Sequence, residues 1–458
     1  CRPAGLSRVM DALRRSRRDL LGLLGVGLAG ALAGCEGDGE TNDPTSSDAP
    51  TTDSPTTDPT PTSTPDPPGG GTLSASNGIP GDGFGSAAAI GDAVFVGAPG
   101  AGSDESGRLD AFEWNGADWT GVATLGPSDG ETGDRFGSAL AVDGDTLLVG
   151  AYGWAPGSDG PDTDAAGAAY VFERAGGEWA EQTRLVPDDG DAYDRFGYSL
   201  ALDDGTALIG AFNDEDPHGD SAGAAYVFER TGGSWSQQAK LTAEDGDEQD
   251  YFGRSVDLDG DRALIGARRA TTLLGGEKAG AAYVFERSGE TWSQQQKFWP
   301  HDTDTWDRFG EAVALDGETA LVGAYGDEDP VGDGRFEGAG SAYVFERRDV
   351  RWRQQAKLAA EGIEPNDAFG LAVALDGGTA LVGAPNHDIQ GVEDAGRAYV
   401  FEQDGTEWTE SDSYSAATPT ENGRFGVAVE LGSGLAVVGA PGADDDPEVP
   451  GSAFVLER

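Results

Sequence analysis

Carboxylates dominate the chemistry open to this chain. Four stretches carry three acids at positions one, three and six: Asp129, Glu131, Asp134; Asp189, Asp191, Asp194; Asp245, Asp247, Asp250; and Asp302, Asp304, Asp307. Each closes two residues ahead of a Phe-Gly pair. A second acidic set holds Asp214, Asp216 and Asp220, repeated as Asp327, Asp329 and Asp333. Clustered oxygens of this kind suit a hard cation, calcium above all. They equally suit turns, where an Asp side chain accepts hydrogen bonds from nearby backbone N–H groups. The spacing is not that of the common calcium loop, so both readings stand. Against this acidity, "RRATTLLGGEK" (268–278) sets Arg268 and Arg269 beside Leu273 and Leu274. Such a basic-apolar spot suits a partner anchor; ordinary loop drift would also produce it. His218, His301 and His387 have no recurring partner and read as solvated loop residues, so no catalytic residue is assigned. Carboxylates are too abundant for a glycosidase-type pair to be located among them.

The charge balance narrows the partners. With 30 Lys+Arg against 82 Asp+Glu, the formal net charge is −52, the wrong sign for nucleic acid and for docking on anionic lipid by charge. The lysines are Lys240, Lys278, Lys297 and Lys357. This acidic, lysine-poor composition resembles that of halophile proteins, for which about 1 M salt shortens the Debye length to roughly 3 Å and quiets like-charge repulsion.

Residues 1–34 read as an export signal with its start at Met10. Arg pairs precede an apolar run from Leu20 to Ala33, too short to span a bilayer and of the length of a signal core. "SRRDLL" (16–21) resembles a twin-arginine signal, and "LAGC" (32–35) resembles a lipobox, which makes Cys35 the expected lipid-bearing residue and the membrane an expected partner. Residues 35–71 carry almost no apolar side chains and read as an extended Thr/Pro/Asp-rich stalk. No Cys follows Cys35, so residues 72–458 hold no disulfide.

The acids sit in the gaps of a repeat. Phe-Gly recurs at Phe84, Phe136, Phe196, Phe252, Phe309, Phe369 and Phe425, and a Gly-Ala pair follows at Gly97, Gly150, Gly210, Gly266, Gly323, Gly383 and Gly439. Next comes "GAAYVFER" or a variant, then a Trp strand such as "WSQQAKL" (235–241). Each unit thus predicts four short strands. The first two are apolar on both faces, and the fourth alternates, Trp235, Gln237, Ala239 and Leu241 on one side and Ser236, Gln238 and Lys240 on the other. Four-stranded units repeated radially make an all-β propeller. Seven Phe-Gly units but six Trp strands predict that a strand around Leu73 completes the last blade and closes the ring. The turns between strands one and two, and three and four, are short. The long loops, with the acids and Arg268, therefore share the opposite face.

The Phe-Gly and Gly-Ala(-Pro) pattern, including "VGAP" at 96–99, 382–385 and 438–441, resembles the FG-GAP repeats of integrin-α-like propellers. The resemblance implies a seven-bladed, monomeric propeller that meets partners on its long-loop face. It departs from the family between strands one and two. Tight turns such as "VDGD" (142–145) stand where integrin-type repeats carry a calcium loop, so that site does not transfer. The expectation is a lipid-anchored, extracytoplasmic binding or adhesion scaffold for a protein or polysaccharide. A carbohydrate-active enzyme and a calcium- or salt-stabilised surface protein are the alternatives.

Overall fold

The computed structural model describes residues 70–102, 105–156, 165–215, 217–273, 276, 278–327, 338–442 and 451–457. The expected signal, Cys35, the stalk up to residue 69, and Asp216, Leu274, Asp329 and Asp333 lie outside the described residues. Among the described residues there are strands and turns but no helix. The strands form seven four-stranded antiparallel sheets. Blades one to six span 87–125, 140–185, 199–241, 252–298, 313–358 and 372–414, each ordered one to four from the axis outward. Blade seven takes its three inner strands from 428–457 and its outer strand from Gly71–Leu73, which pairs with Ser452–Glu457 in the register Leu73↔Ala453. The predicted closure is therefore present. The first strands of neighbouring blades pack on one another around the whole circle, blade seven against blade one included.

The repeated residues explain themselves at the seams. In blade two, the second strand, Thr146–Ala151, is buried at every position. A Cβ added to its Gly150 would overlap the carbonyl oxygen of Gly197, the glycine of the next Phe-Gly pair. The same clash guards every seam, from Gly97 against Gly137 to Gly439 against Gly85, where the ring closes. The Phe of each pair is 0–1% exposed and in blades one to six meets a strand-three aromatic edge-on, as Phe136 meets Tyr170 at 5.4 Å. In "YVFER", Glu and Arg link blades: Arg174 pairs with Glu113, Arg287 with Glu229 and Arg347 with Glu286, each at 2.8 Å. The short-turn acids do the same on that same face. Asp203 accepts the Gly260 amide (2.6 Å), Asp259 that of Gly317 (2.7 Å) and Asp316 that of Gly377 (2.6 Å).

One expectation is corrected. The fourth strand does not alternate throughout, because in blades one to six the pairing of strands three and four carries a bulge at the same place. In blade three the register runs Phe228↔Gln237 and then Val227↔Ala239, leaving Gln238 unpaired. An extra residue reverses side-chain parity beyond it. Lys240 therefore stands opposite Tyr226, on the Trp235 side, and Leu241 joins the other face. The Trp residues pack, as their recurrence implies: Trp292 and Trp352 are 8% and 4% exposed, and Trp408 Nε1 donates to the bulged Gln355 of the preceding blade at 2.9 Å.

Candidate functional site

Three residues of every blade surround the channel mouth on the long-loop face. They are the residue before Phe-Gly, the residue after it on strand one, and the residue following Gly-Ala. In blades six, seven and one the last of these is Pro385, Pro441 and Pro99, and the second is Leu371, Val427 and Ser86. Blades three to five differ. Their sets are Arg195, Tyr198, Phe212; Tyr251, Arg254, Arg268; and Arg308, Glu311, Tyr325, while blade two, with Arg135, Ser138 and Tyr152, is intermediate. Below the mouth lies a cavity of about 270 Å³, lined by the first strands of all seven blades, with Tyr198, Arg254 and Glu311 at its rim and small apolar side chains beneath.

The rim is built of stacked cations and rings. Arg254 lies 4.3 Å from the Tyr198 ring centre and 5.5 Å from that of Phe212. Arg268 and Arg269 lie 5.2 and 5.0 Å from Tyr251, and Arg269 also donates to the Tyr251 hydroxyl (2.9 Å). Lys278 stands 4.9 Å over Trp306, and Arg308 4.7 Å over Tyr325. Arg254 and Arg268 share the Glu311 carboxylate at 2.6 and 3.0 Å. Burial alone would raise the Glu311 pKa, but the two guanidiniums overcome it and hold the group below the usual range, ionised. Burial lowers the pKa of Arg308; Arg268, Arg269 and Arg254 add to the effect, and Glu311 opposes it.

The backbone shows that these arginines are held against local preference. The residue before Phe-Gly has a left-handed φ in every blade: Gly83 at 67°, but Arg135 at 60°, Arg195 at 61°, Tyr251 at 59°, Arg308 at 58°, Ala368 at 60° and Arg424 at 53°. Gly serves in blade one, and a non-glycine residue there costs about 1–2 kcal/mol. Four blades hold an arginine at that position at a conformational cost, and two of these, Arg195 and Arg308, lie over the rings of Tyr152 and Tyr325.

The acidic sets form a second arrangement, further out. The third acid of each triple caps its own turn: Asp134, Asp194, Asp250 and Asp307 accept the amides of Glu131, Asp191, Asp247 and Asp304 at 2.7, 2.7, 3.0 and 2.5 Å. The first acid meets a cation of strand four, delivered by the bulge. Asp129 pairs with Arg184, Asp189 with Lys240 (2.9 Å), Asp245 with Lys297 (2.7 Å) and Asp302 with Lys357 (3.0 Å). In blades three and five the second set joins in, Lys240 reaching Asp214 (3.1 Å) and Lys357 reaching Asp327 (2.9 Å). Tyr226 and Tyr343 donate to those same carboxylates. In blade three, Asp189, Asp191, Asp194, Asp214 and Asp220 thus line one cavity of about 340 Å³ together with Lys240. An ammonium stands among these oxygens, and among the described residues no grouping of acids, His or Cys has the make-up of a metal site. Desolvation raises Asp194 and Asp307 to about 7, with Asp214 and Asp327 adding to it, and raises Asp134 and Asp250 to about 6.

Of the expected partner anchor, Arg268 and Arg269 join the mouth, while Leu273 is 93% exposed in the same long loop. His387 is not a solvated loop residue: it is 9% exposed and meets Asp367 at 2.6 Å, because blade six has Gly362 and Ser413 where blade three has Asp189 and Lys240. Sequence reasoning missed Arg254, Glu311, Tyr198, Tyr251, Arg308 and Trp306. Setting the seven repeats in phase shows the signal. The column after Phe-Gly reads Ser, Ser, Tyr, Arg, Glu, Leu, Val, and its variation is confined to blades three to five once small and apolar residues are set aside.

Fold and site together define a closed seven-bladed propeller with a chemically asymmetric loop face. The chain belongs to the FG-GAP repeat family, whose model matches residues 119–172, 179–228, 235–285, 292–345 and 352–401. No curated protein matches it. Among solved structures it is similar to the periplasmic gluconolactonase PpgL of Pseudomonas aeruginosa, at 16% identity and a TM-score of 0.48, over 73% of this chain and 86% of that one.

Proposed function

We propose that the chain is a binding module of the cell surface, tethered through a lipid on Cys35, lifted by residues 36–71, and engaging its ligand at the channel mouth of blades three to five. The observation that carries this reading is the concentration of arginines and half-buried aromatics in one sector of a molecule with net charge −52. Such variation on a rigid scaffold is where function resides. Glu311, locked between two guanidiniums, orders charge rather than exchanging protons, which favours binding over hydrolysis. The test displays full-length protein to arrays of extracellular glycans and proteins, comparing wild type with Arg268→Ala, Arg308→Ala and the blade-six control Pro385→Ala. Binding lost in the arginine variants and kept in the control supports the reading. Binding indifferent to all three refutes it. Fatty-acid labelling that survives Cys35→Ser would remove the tether.

A further inference from the structure

We infer that the mouth accepts the terminal acidic sugar of a glycan, with the sugar's carboxylate or sulfate group on the guanidiniums of blades four and five. This rests on the mouth being the ligand site. Arg254 and Arg268 pair with one carboxylate, Glu311, and the charges of Arg254, Arg268 and Arg269 all act on the neighbouring Arg308. In a chain with 82 acidic and 30 basic residues, a set of guanidiniums outnumbering its counter-anion is not a by-product of composition. Like charges repel when held together, and an added anion relieves that repulsion. The donors are not exhausted: Arg268 Nε is buried without a hydrogen-bond partner. Buried donors left unpaired are unfavourable, and an acid group in the mouth would supply the missing acceptor. The rings of Tyr198, Phe212 and Tyr251 hold the guanidinium planes from one side, which preserves the fork that matches a carboxylate or sulfate.

The surroundings select among anions. The acidic loops of blades two to five, with the exposed Asp188, Asp247 and Asp304 among their acids, repel an extended polyanion or an acidic protein lying flat on this face. A chain end that brings one charge to the axis avoids them. The cavity below, about 270 Å³ and walled by small side chains such as Ala139, Ser255 and Ala312, has room for a compact group rather than a folded surface.

The test is titration of the detergent-solubilised full chain, followed by Trp fluorescence, with a uronate-ended trisaccharide, its methyl ester, a sulfate-ended analogue, inorganic sulfate and an acidic peptide. The acidic trisaccharides should bind at least tenfold more tightly than the ester. Arg268→Gln and Arg308→Gln should each weaken binding about tenfold, and Glu311→Gln should strengthen it, because the internal competitor for the arginines is gone. A purely structural cluster predicts no such opposite signs. The circular dichroism spectrum checks folding, and Arg269→Gln replaces any arginine variant that fails it. The inference is overturned if the ester binds as well as the acid, if Glu311→Gln weakens binding in a folded protein, or if inorganic sulfate or the peptide binds as tightly as the sugars. Ester binding that Arg268→Gln still abolishes would overturn the acidic-sugar assignment alone and leave the mouth as the site. Sugar binding unaffected by every mouth variant would overturn both.

Discussion

Replacing Lys240 with Met tests whether a fixed ammonium holds the acidic loops together. The Nζ atom lies 2.9 Å from Asp189, 3.1 Å from Asp214 and 5.3 Å from the Tyr226 ring centre. Met keeps the length and removes the charge. Asp189 is half in solvent and loses little. Asp214, 2% exposed, loses its ammonium and keeps the neutral Tyr226 hydroxyl (2.6 Å). Breaking a buried pair by removing one partner costs about 3–5 kcal/mol; the partial exposure of the lysine head places this case near 3 kcal/mol. The sign with pH follows from Asp194, whose pKa burial raises to about 7 and Lys240 lowers. Without Lys240 it rises further above its unfolded value of roughly 3.9. The folded state then holds a proton that the unfolded state releases, so the defect is full above the folded pKa and fades toward the unfolded one. Urea midpoints of wild type, Lys240→Met and Lys240→Arg at about pH 8 and pH 5, at fixed ionic strength, measure this. The Met variant should lose stability at the higher pH, recover the Asp194 share of it at the lower, and respond to millimolar calcium where wild type does not. A defect equal at both pH values would refute the electrostatic account, and a calcium response in wild type would show that the ion binds despite the ammonium.

Gly323→Ala should destabilise by about 2–3 kcal/mol, since its Cβ would overlap the Gly370 carbonyl across a seam. Gly144→Ala, at φ 55° with open space around it, should lose only about 1 kcal/mol; equal urea midpoints for the two would contradict the seam argument. In wild type the raised pKa values of Asp134 and Asp250 (about 6) and of Asp194 and Asp307 (about 7) mean that stability falls as pH climbs from about 4 to about 7. Thermal midpoints in constant high salt should therefore be higher near pH 5.5 than near pH 8, with Asp194→Asn flattening the slope. Leu73→Asp puts a carboxylate into the closing strand among Phe84, Val94 and Val455; it should cost about 3 kcal/mol or more and expose the chain near residue 73 to limited proteolysis.

The ring was legible because its signals are local and recur. Phe-Gly, Gly-Ala and the two-residue turns each occupy a few contiguous residues, and seven copies in phase with six Trp strands leave Leu73 one place to go. The bulge was not legible. Nothing in "WSQQAKL" marks Gln238 as unpaired; the mismatch arises because the strand must follow its partner past Phe228, and that single residue moved Lys240 to the Tyr226 side. The acidic triples were recognised as a group, and their cations were visible as Arg184, Lys240, Lys297 and Lys357. The pairing joins residues 51 to 55 positions apart, which no periodicity expresses.

The sequence by itself thus determined the strand count, the blade boundaries, the closing strand and the face that carries the long loops. All of these follow from short-range backbone preferences and from where glycine alone fits. Tertiary structure decided which side chains meet. Arg254, Arg268 and Glu311 come from two blades and three separate segments, and they share one carboxylate only because ring closure brings the inner edges of the sheets to a common axis.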